Sequence, residues 1–374
     1  MRARVLKFGG SSFRTLEDFR SVASLLVRML QEPGTRLVVV VSAMYGETDR
    51  LLQAGTSLND RMSGQARDAL ITTGEVISAS LLRVALESLD VSVVSLNGHQ
   101  CGIRSDSNFT KARICEVDPR PLRRALGRHQ VVVVTGAQAV DANGWITMLG
   151  RNSSDLTAVA IAAALGVGTC EILSDVPGVY SGDPYIHRDA RLLPRLSLDQ
   201  LIDMSISGAK VIHHGAASYA RNMRCRILCR ATRDPDVVGT IVDTDAPTAP
   251  AVVIHERAQV FLYESSSAAE HARHRLAQRG VPSVVASHGS GYVMVCSRAD
   301  LVSELDFTDG ALPRRLDAHA MITTFDAGGV HRRIVPFESA RAIGTYLHSR
   351  LSTPADRTPI HTEPIAPLVL NSSY

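Results

Sequence analysis

The sequence predicts an α/β fold with a mainly parallel sheet, and the alternation of two kinds of segment carries this prediction. Short apolar runs typical of strands are separated by longer segments whose apolar residues recur at helical spacing. The run Leu37–Val41 is continuous and β-branched, as expected for a parallel strand buried on both faces. The first strand is predicted at Arg4–Phe8. The next helix is capped by Thr15 with Asp18, and its apolar positions extend from Phe19 to Leu30.

Composition places the chain among ordinary soluble proteins. Its 374 residues, 45% hydrophobic and 21% charged, suffice for two or three domains. Forty basic and 37 acidic residues leave a net charge of +3, so we expect no affinity for nucleic acid or anionic membranes. No apolar run approaches the ~20 residues of a membrane helix, and strand-like sequence begins within the first five residues, which leaves no room for a signal peptide. The predicted location is cytoplasmic.

The six cysteines predict reduced thiols. They are scattered without a C-x-x-C pair, which favours buried thiols over a disulfide framework or a zinc site. Cys225 and Cys229 lie four apart in a predicted strand and would share one face, where we expect them to pack rather than to bind metal.

A candidate phosphate site follows the first strand. Lys7 lies near the end of this predicted strand, and Gly9, Gly10 and Ser11 follow it. Paired glycines let the backbone approach a ligand closely, and a lysine at a strand end offers a point charge to a phosphoryl group. An ordinary strand ending in a glycine turn fits these residues equally well.

Further polar segments follow the later strands and helices. A small polar loop comes after Val41, and another at 150–155 sits at a predicted helix N-terminus, where backbone N–H groups favour anions. The segment 179–184 has enough turn formers to predict a binding or lid loop. Neither a Walker A motif nor the protein-kinase H-R-D and D-F-G pair is present, and the glycines at 166–168 and 289–291 are predicted to be turns.

The ordered set of these motifs resembles the aspartate kinases of the amino-acid kinase superfamily, over about Arg4–Val242. The resemblance implies a three-layer α/β/α amino-acid kinase fold. It is carried by six segments in the family's order: Lys7–Ser12, Val41–Met44, Thr72–Glu75, Gly150–Asp155, Ser174–Tyr180 and Gly208–Val211.

The resemblance also implies an activity, the transfer of the ATP γ-phosphoryl group to the side-chain carboxylate of L-aspartate, giving 4-phospho-L-aspartate. ATP and Mg²⁺ would be required. The chemistry is compatible, because a carboxylate with a pKa near ~4 is already ionised at neutral pH and needs no general base. The protein must then position two anions and offset their repulsion with lysines, amides and Mg²⁺.

Roles for single residues follow from the same resemblance. Lys7, with the amides of Gly9 and Gly10 and with Ser11 nearby, would hold the transferring phosphoryl group, and Asp155 would organise the catalytic lysines. Arg151 would bind the acceptor carboxylate, which suits the bidentate geometry of its guanidinium. Glu75 would bind the acceptor's amino group. The nucleotide side would be lined by Ser174, Asp175, Tyr180 and Lys210, and further acceptor hydrogen bonds would come from Thr48 and Ser154. No side chain is assigned as a metal ligand.

Departures from the family pattern put the acceptor in question. Asn152-Ser153 replaces the usual Gly-Gly, Ala137 a common phenylalanine, and Tyr185 a common arginine. His213 and His214, where the family has His-Pro, are interpreted as structural. The chain is therefore predicted to be a specialised aspartate kinase. Two alternatives stay open: a kinase of another amino acid or small carboxylate, and a non-catalytic paralogue, which the intact Lys7, Asp155, Asp175 and Lys210 disfavour.

Three regions are predicted: a catalytic domain at 1–243, a divergent ACT-like domain of ferredoxin-like α+β type at 251–351, and a poorly ordered tail at 352–374. A linker with two prolines separates the first two. Ser265–Ser267 replaces the usual Pro-Gly ligand turn, so we expect no tight binding of lysine or threonine. The module would then serve dimerisation, which predicts a homodimer.

Overall fold

A computed structural model describes residues 2–278, 280–289, 291–296 and 313–351. The predicted tail at 352–374 lies outside the described residues.

The centre of the molecule is an eight-stranded sheet. Its neighbouring strands are parallel with one exception, the antiparallel pair formed by Arg226–Ala231 and Thr240–Asp243. In spatial order the strands are β10 (Arg195–Ser197), β12 (Thr240–Asp243), β11 (Arg226–Ala231), β9 (Thr169–Ser174), β1 (Arg2–Phe8), β2 (Thr35–Val41), β6 (Val131–Thr135) and β3 (Val93–Leu96).

Helices cover both faces of this sheet and make three layers. The helices of this region are α1 (Leu16–Leu30), α2 (Glu47–Leu58), α3 (Gly64–Ile71), α4 (Thr73–Glu87), α5 (Arg120–Arg128), α6 (Ser154–Leu165), α7 (Leu198–Ile206) and α8 (His214–Asn222). Helices α1 and α4 pack on one face of the sheet, and α5 to α8 pack on the other. The predicted fold class is confirmed.

Local capping follows the sequence. Thr15 and Asp18 form the predicted capping box of α1, and the Ser197 hydroxyl accepts the backbone N–H of Gln200 at the start of α7. Helix α6 is buried around most of its surface, so its first turn faces the interior of the fold.

A small four-stranded sheet flanks the site. Its strands, in spatial order, are β5 (Ile114–Val117), β4 (Ile103–Ser105), β7 (Gln138–Val140) and β8 (Ile146–Met148). The fully buried Asp68 of α3 accepts the backbone N–H groups of Thr110 and Met148, each at 2.8 Å. These bonds tie α3 to the small sheet. Burial raises the pKa of Asp68.

Within its described residues, the C-terminal region contains two further sheets, and one described helix packs on each. The first has the order β15 (Ser283–His288), β16 (Gly291–Cys296), β14 (Gln259–Tyr263), β17 (Arg314–Leu316) and packs on α9 (Ser266–Gln278). The second has the order β13 (Ala251–His255), β18 (His319–Asp326), β19 (Gly329–Pro336) and packs on α10 (Phe337–Leu351). The boundaries 1–243 and 251–351 stay predictions.

Several strand and helix predictions were incomplete. The sequence predicts Cys225–Arg230 as the last strand of the first region, but in the structure β12 follows this strand and pairs antiparallel with it. Strands β10 and β12 are only three and four residues long, which is too short for an alternating apolar pattern to be recognised in the sequence. The sequence over about Gln65–Leu86 predicts a single helix, but the structure divides it into α3 and α4 at Thr72.

The cysteines are free, as predicted, but not all are buried. Cys115 is exposed and the other five are buried. Cys225 and Cys229 both pack in the core, and burial raises the pKa of each thiol, to about 11 and about 12. Within the described residues, no group of three or more His, Cys, Asp or Glu side chains could hold a metal ion.

One helical stretch, Gly64–Glu87, has the length and composition of a membrane-crossing helix, which the sequence was not expected to contain. Its mean hydropathy is 1.5, and 44% of the window is buried inside the fold. Leu82 and Leu86 pack under the central sheet. A core helix passes the same test, so this stretch is weak evidence for a membrane span, and the cytoplasmic location stays a prediction.

Candidate active site

A cavity of about 560 Å³ opens at the carboxyl ends of β1 and β2. Strand β1 lies between β2 and β9, so the sheet continues in opposite directions from it, and such a switch point is where open α/β sheets place ligands. The cavity is also bounded by the first turns of α2 and α6 and by the segment after α7. Predicted site residues that line it are Lys7, Gly10, Ser11, Thr48, Glu75, Arg151, Ser154, Asp155 and Lys210.

The floor of the cavity holds an ion pair. Lys7 Nζ lies 2.7 Å from Asp155 Oδ1, and both side chains are largely buried. The second carboxylate oxygen accepts the backbone N–H of His213 at 3.1 Å. Asp155 is therefore held from two sides, and it fixes the lysine ammonium at the positive end of α6.

The glycine turn lets two strand ends come together. A Cβ on Gly10 would lie 2.8 Å from the carbonyl oxygen of Ala43, so only glycine permits this approach. A Cβ on Gly9 would lie 3.4 Å from Lys7 Nζ, which places Gly9 beside the ammonium although it does not line the cavity. The turn thus holds the Gly9 backbone beside the Lys7 ammonium, while the Gly9 N–H donates to the carbonyl of Leu173 at 3.4 Å.

Glu75 contributes a buried carboxylate to the cavity wall. It lies in the first turn of α4, is 3% exposed, and accepts the backbone N–H of Ala43 at 3.3 Å. Burial raises its pKa to about 7. Its other oxygen has no hydrogen-bond donor among the described residues, so a cationic ligand group would find an acceptor there.

Arg151 stands at the mouth of the cavity. Its Nη2 donates to Asp49 Oδ1 at 2.6 Å, which joins the loop before α6 to the start of α2. The next residue, Asn152, has φ of +60°, in the left-handed region. Asparagine tolerates this region better than most residues, so the positive φ expected of a glycine is kept here.

The remaining predicted residues lie around the edge. Asp175 accepts the Ser11 hydroxyl at 3.3 Å, and the Ser174 hydroxyl donates to the carbonyl of Val176 at 2.8 Å. Neither lines the cavity, nor does Tyr180, whose pKa is raised by burial. Lys210 lines the cavity and is exposed to solvent.

Some cavity residues were absent from the predicted set. Asp49 lies one residue after Thr48, and its position in that polar loop was the available signal. His213 and His214 were interpreted as structural, yet both line the cavity and their rings lie 4.5 Å apart. Burial lowers the pKa of His214 to about 4.

Comparison with known proteins agrees with this geometry. The sequence profile of the amino acid kinase family matches residues 2–230. The chain belongs to the amino acid kinase family. Its match to curated aspartokinases confirms the predicted resemblance: the chain is 40% identical to the aspartokinase of Pseudomonas aeruginosa over 243 residues. It is 42% identical to that of Thermus thermophilus over 217 residues.

The match to these relatives is partial. It covers 64% of this chain and 59% of the Pseudomonas protein, and 58% of this chain and 53% of the Thermus protein. The chain therefore spans less than two thirds of the length of these relatives.

Solved structures share the fold of this amino acid kinase family member over most of its length. The E. coli aspartokinase III structure with aspartate and ADP has a TM-score of 0.74 at 20% identity, covering 94% of this chain and all of that chain. The aspartate kinase structure from Synechocystis has a TM-score of 0.59 at 26% identity, covering 95% of this chain and 71% of that chain.

Proposed function

We propose that this chain transfers the γ-phosphoryl group of ATP to the side-chain carboxylate of L-aspartate. The observation that carries the proposal is the Lys7–Asp155 pair, set at the N-terminus of α6 in the same cavity as Arg151 and Glu75. The Lys7 ammonium thus offers positive charge to a phosphoryl group. In the same cavity, Arg151 offers a cation for a carboxylate and Glu75 an anion for an amino group.

The reaction breaks the bond between the γ-phosphorus and the oxygen bridging it to the β-phosphate. A carboxylate oxygen of the acceptor forms the new bond, and ADP leaves with the electron pair. Lys7 neutralises charge on the transferring group, and Asp155 orients its ammonium. The amide of Gly10 would add a donor for the phosphoryl group, whereas the Gly9 N–H donates to the carbonyl of Leu173 at 3.4 Å and would have to leave that bond to do so.

Acceptor binding relies on two opposite charges. The Arg151 guanidinium suits the α-carboxylate, because its planar donors match two carboxylate oxygens. The free oxygen of Glu75 suits the α-ammonium, and Thr48 and Ser154 line the wall close by. Binding both groups would orient the side-chain carboxylate toward Lys7.

The nucleotide would lie toward Lys210 and the segment Ser174–Tyr180, with Ser11 hydrogen-bonded to Asp175 between the two regions. When bound with the nucleotide, Mg²⁺ would neutralise phosphate charge there, and Asp175 beside Ser11 offers a carboxylate that could hold it. A single carboxylate is compatible with this mode, since Mg²⁺ is often held through substrate phosphates and water with few carboxylates. A homodimer through the C-terminal sheets completes the proposal.

A second acceptor class is favoured by one observation. Ala137 lines the cavity where the aspartate kinases commonly have phenylalanine, so the wall beside Met148 is built from a small side chain. A larger amino acid or another small carboxylate would fit the same phosphoryl-transfer groups.

Trapping of the acyl phosphate with hydroxylamine tests both candidates. ATP, Mg²⁺ and a panel of amino acids are supplied to the wild-type chain, to Lys7→Ala and to Arg20→Ala, which removes an exposed cation on α1. L-Aspartate should give most product, Lys7→Ala should lose it and Arg20→Ala should keep it. Undiminished product from Lys7→Ala would contradict the mechanism, and faster turnover of another acid would establish the second class.

A further inference from the structure

The mouth of the cavity contains an internal carboxylate bonded to the acceptor-binding arginine. Asp49 Oδ1 accepts a hydrogen bond from Arg151 Nη2 at 2.6 Å, and both side chains line the cavity. The side chains are 67% and 57% exposed, so the pair is in contact with solvent. Asp49 thus presents to Arg151 the same chemical group that an amino-acid acceptor would bring.

The two residues come from separate elements. Asp49 lies in the first turn of α2 directly after Thr48, and Arg151 lies in the loop between β8 and α6. The ion pair is a bond across the opening of the cavity. A carboxylate that binds the guanidinium through two oxygens needs two of its N–H donors in one plane. A bidentate acceptor that uses Nη2 shares that nitrogen with Asp49, and where it needs the same N–H it must displace the Asp49 carboxylate.

We infer that Asp49 sets the affinity of the site for its acceptor by competing with the acceptor carboxylate for Arg151. The inference rests on the proposed function. The acceptor exchanges with Asp49 on the guanidinium, and the negative charge of Asp49 also disfavours anions at the mouth. Asp49 is a specificity-determining residue that acts through Arg151 and is not required for phosphoryl transfer.

The size of the effect is bounded by the exposure of the pair. Solvent-exposed ion pairs contribute little, and the range seen for such pairs corresponds to a change of about two- to fivefold in a binding constant. Asp49→Asn keeps the shape of the side chain and removes its charge, so it should lower the KM for L-aspartate by this factor. Asp49→Glu keeps the charge and should retain a KM close to that of the wild type.

Glu47 offers a matched control. It lies in the same first turn of α2, but its carboxylate pairs with Arg50 at 2.7 and 2.8 Å. Glu47→Gln therefore removes one negative charge near the mouth without touching the Arg151 contact. It separates competition for the guanidinium from the general field of the surface.

The experiment measures kcat and KM for L-aspartate at saturating ATP with the full chain, by hydroxylamine trapping. Calorimetric titration with L-aspartate gives the binding constant without turnover. We expect Asp49→Asn to lower KM and Kd together by about two- to fivefold while kcat stays within twofold, and we expect Glu47→Gln to change neither. In an Arg151→Lys background the effect of Asp49→Asn should shrink, because the shared group is altered.

Each other outcome counts against the inference. An unchanged or raised KM in folded Asp49→Asn overturns it, as does an equal decrease in Glu47→Gln, which would assign the effect to the general field. A decrease in Asp49→Glu as large as in Asp49→Asn overturns it too. If the wild-type chain forms no acyl phosphate from L-aspartate, the proposed function itself fails, which is distinct from normal turnover with an unchanged KM.

Discussion

The imidazole ring of His187 is stacked on that of His348, with centroids 4.5 Å apart and planes inclined by 12°. His187 lies in the loop after Tyr180, and His348 lies in α10 of the C-terminal region. Both are 1% exposed. His348 contacts Ser181 Oγ at 2.9 Å through Nε2 and Asp189 Oδ1 at 3.1 Å through Nδ1. The stack therefore joins the loop beside the proposed nucleotide side to the C-terminal helix.

This pair predicts a loss of stability in mild acid. Burial, and then His348, lower the pKa of His187 to about 4, although Asp189 and Asp183 act in the opposite direction. The unfolded chain binds this proton near pH 6.5 and the folded chain does not, so stability should fall as pH drops from 6.5 to 4. Burial also lowers the pKa of His348, where Asp189 opposes the shift and Arg191 adds to it.

Urea unfolding between pH 4 and 7 measures this effect. His187→Phe keeps an aromatic ring in the stack and should reduce the slope of stability against pH. The exposed His271 of α9 provides the control, since His271→Phe leaves the stack intact. The prediction would be contradicted if His187→Phe showed the same dependence of unfolding free energy on pH as the wild type and His271→Phe.

Burial of Glu75 predicts opposite effects of one substitution on stability and on binding. The folded pKa of Glu75, about 7, exceeds the ordinary value of 4.5. The stability that the protonated side chain contributes is therefore fully present below pH 4.5 and is lost as pH rises from there through 7. Glu75→Gln should lie within about 1 kcal/mol of the wild type at pH 5 and exceed it at pH 8 by about 3.5 kcal/mol at most, at ~1.4 kcal/mol per pKa unit. The same variant should bind L-aspartate more weakly, because an amide does not neutralise the ammonium.

Melting temperature and calorimetric affinity at pH 5 and pH 8 test this pair of effects. Glu87→Gln, at the exposed end of the same helix, is the control for loss of a carboxylate. A Glu75→Gln variant that is less stable at pH 8 would refute the argument from burial.

The Lys7–Asp155 pair predicts a loss of rate rather than of structure. Asp155→Asn can still accept the backbone N–H of His213, but it no longer holds the ammonium by charge. We expect kcat to fall by about 10²-fold or more, as for removal of a preorganised electrostatic group. Circular dichroism should show an intact fold.

The control for this substitution is Asp199→Asn, in the first turn of α7, where the carboxylate pairs with Arg221 on the surface. Its kcat should be that of the wild type. A kcat for Asp155→Asn within threefold of this control would remove Asp155 from the proposed mechanism.

The backbone of Asn152 predicts a ranking of substitutions. Its φ of +60° is unfavourable for residues with a Cβ, by roughly 1–2 kcal/mol, with asparagine tolerated best. Asn152→Ala should lower the free energy of unfolding by about 1 kcal/mol, whereas Asn152→Gly should be close to neutral. Asn222→Ala, at the end of α8, should change stability little. Chemical denaturation gives the three values, and equal stability of Asn152→Ala and Asn152→Gly would contradict the ranking.

Much of the site was predictable because it lies at strand ends. Lys7, Ser42 and Ser174 end or follow parallel strands, and the carboxyl ends of such strands meet at one edge of the sheet. The C-terminal region was less predictable. Strand β13 pairs with β18, about seventy residues later, and β14 pairs with β17, about fifty residues later, so neither C-terminal sheet is built from one contiguous segment. No local pattern specifies such a pairing.

The sequence by itself determined the alternation of strands and helices, the caps at Thr15 and Ser197, and the residue types available for phosphoryl transfer. These depend on local spacing and on side-chain chemistry. The tertiary structure alone decided which charges meet. The distance from Lys7 to Asp155, the contact of Asp49 with Arg151 and the burial that raises the pKa of Glu75 all join residues distant in the chain. Packing of the helices on the sheet sets these distances and excludes water, and both follow from the whole fold.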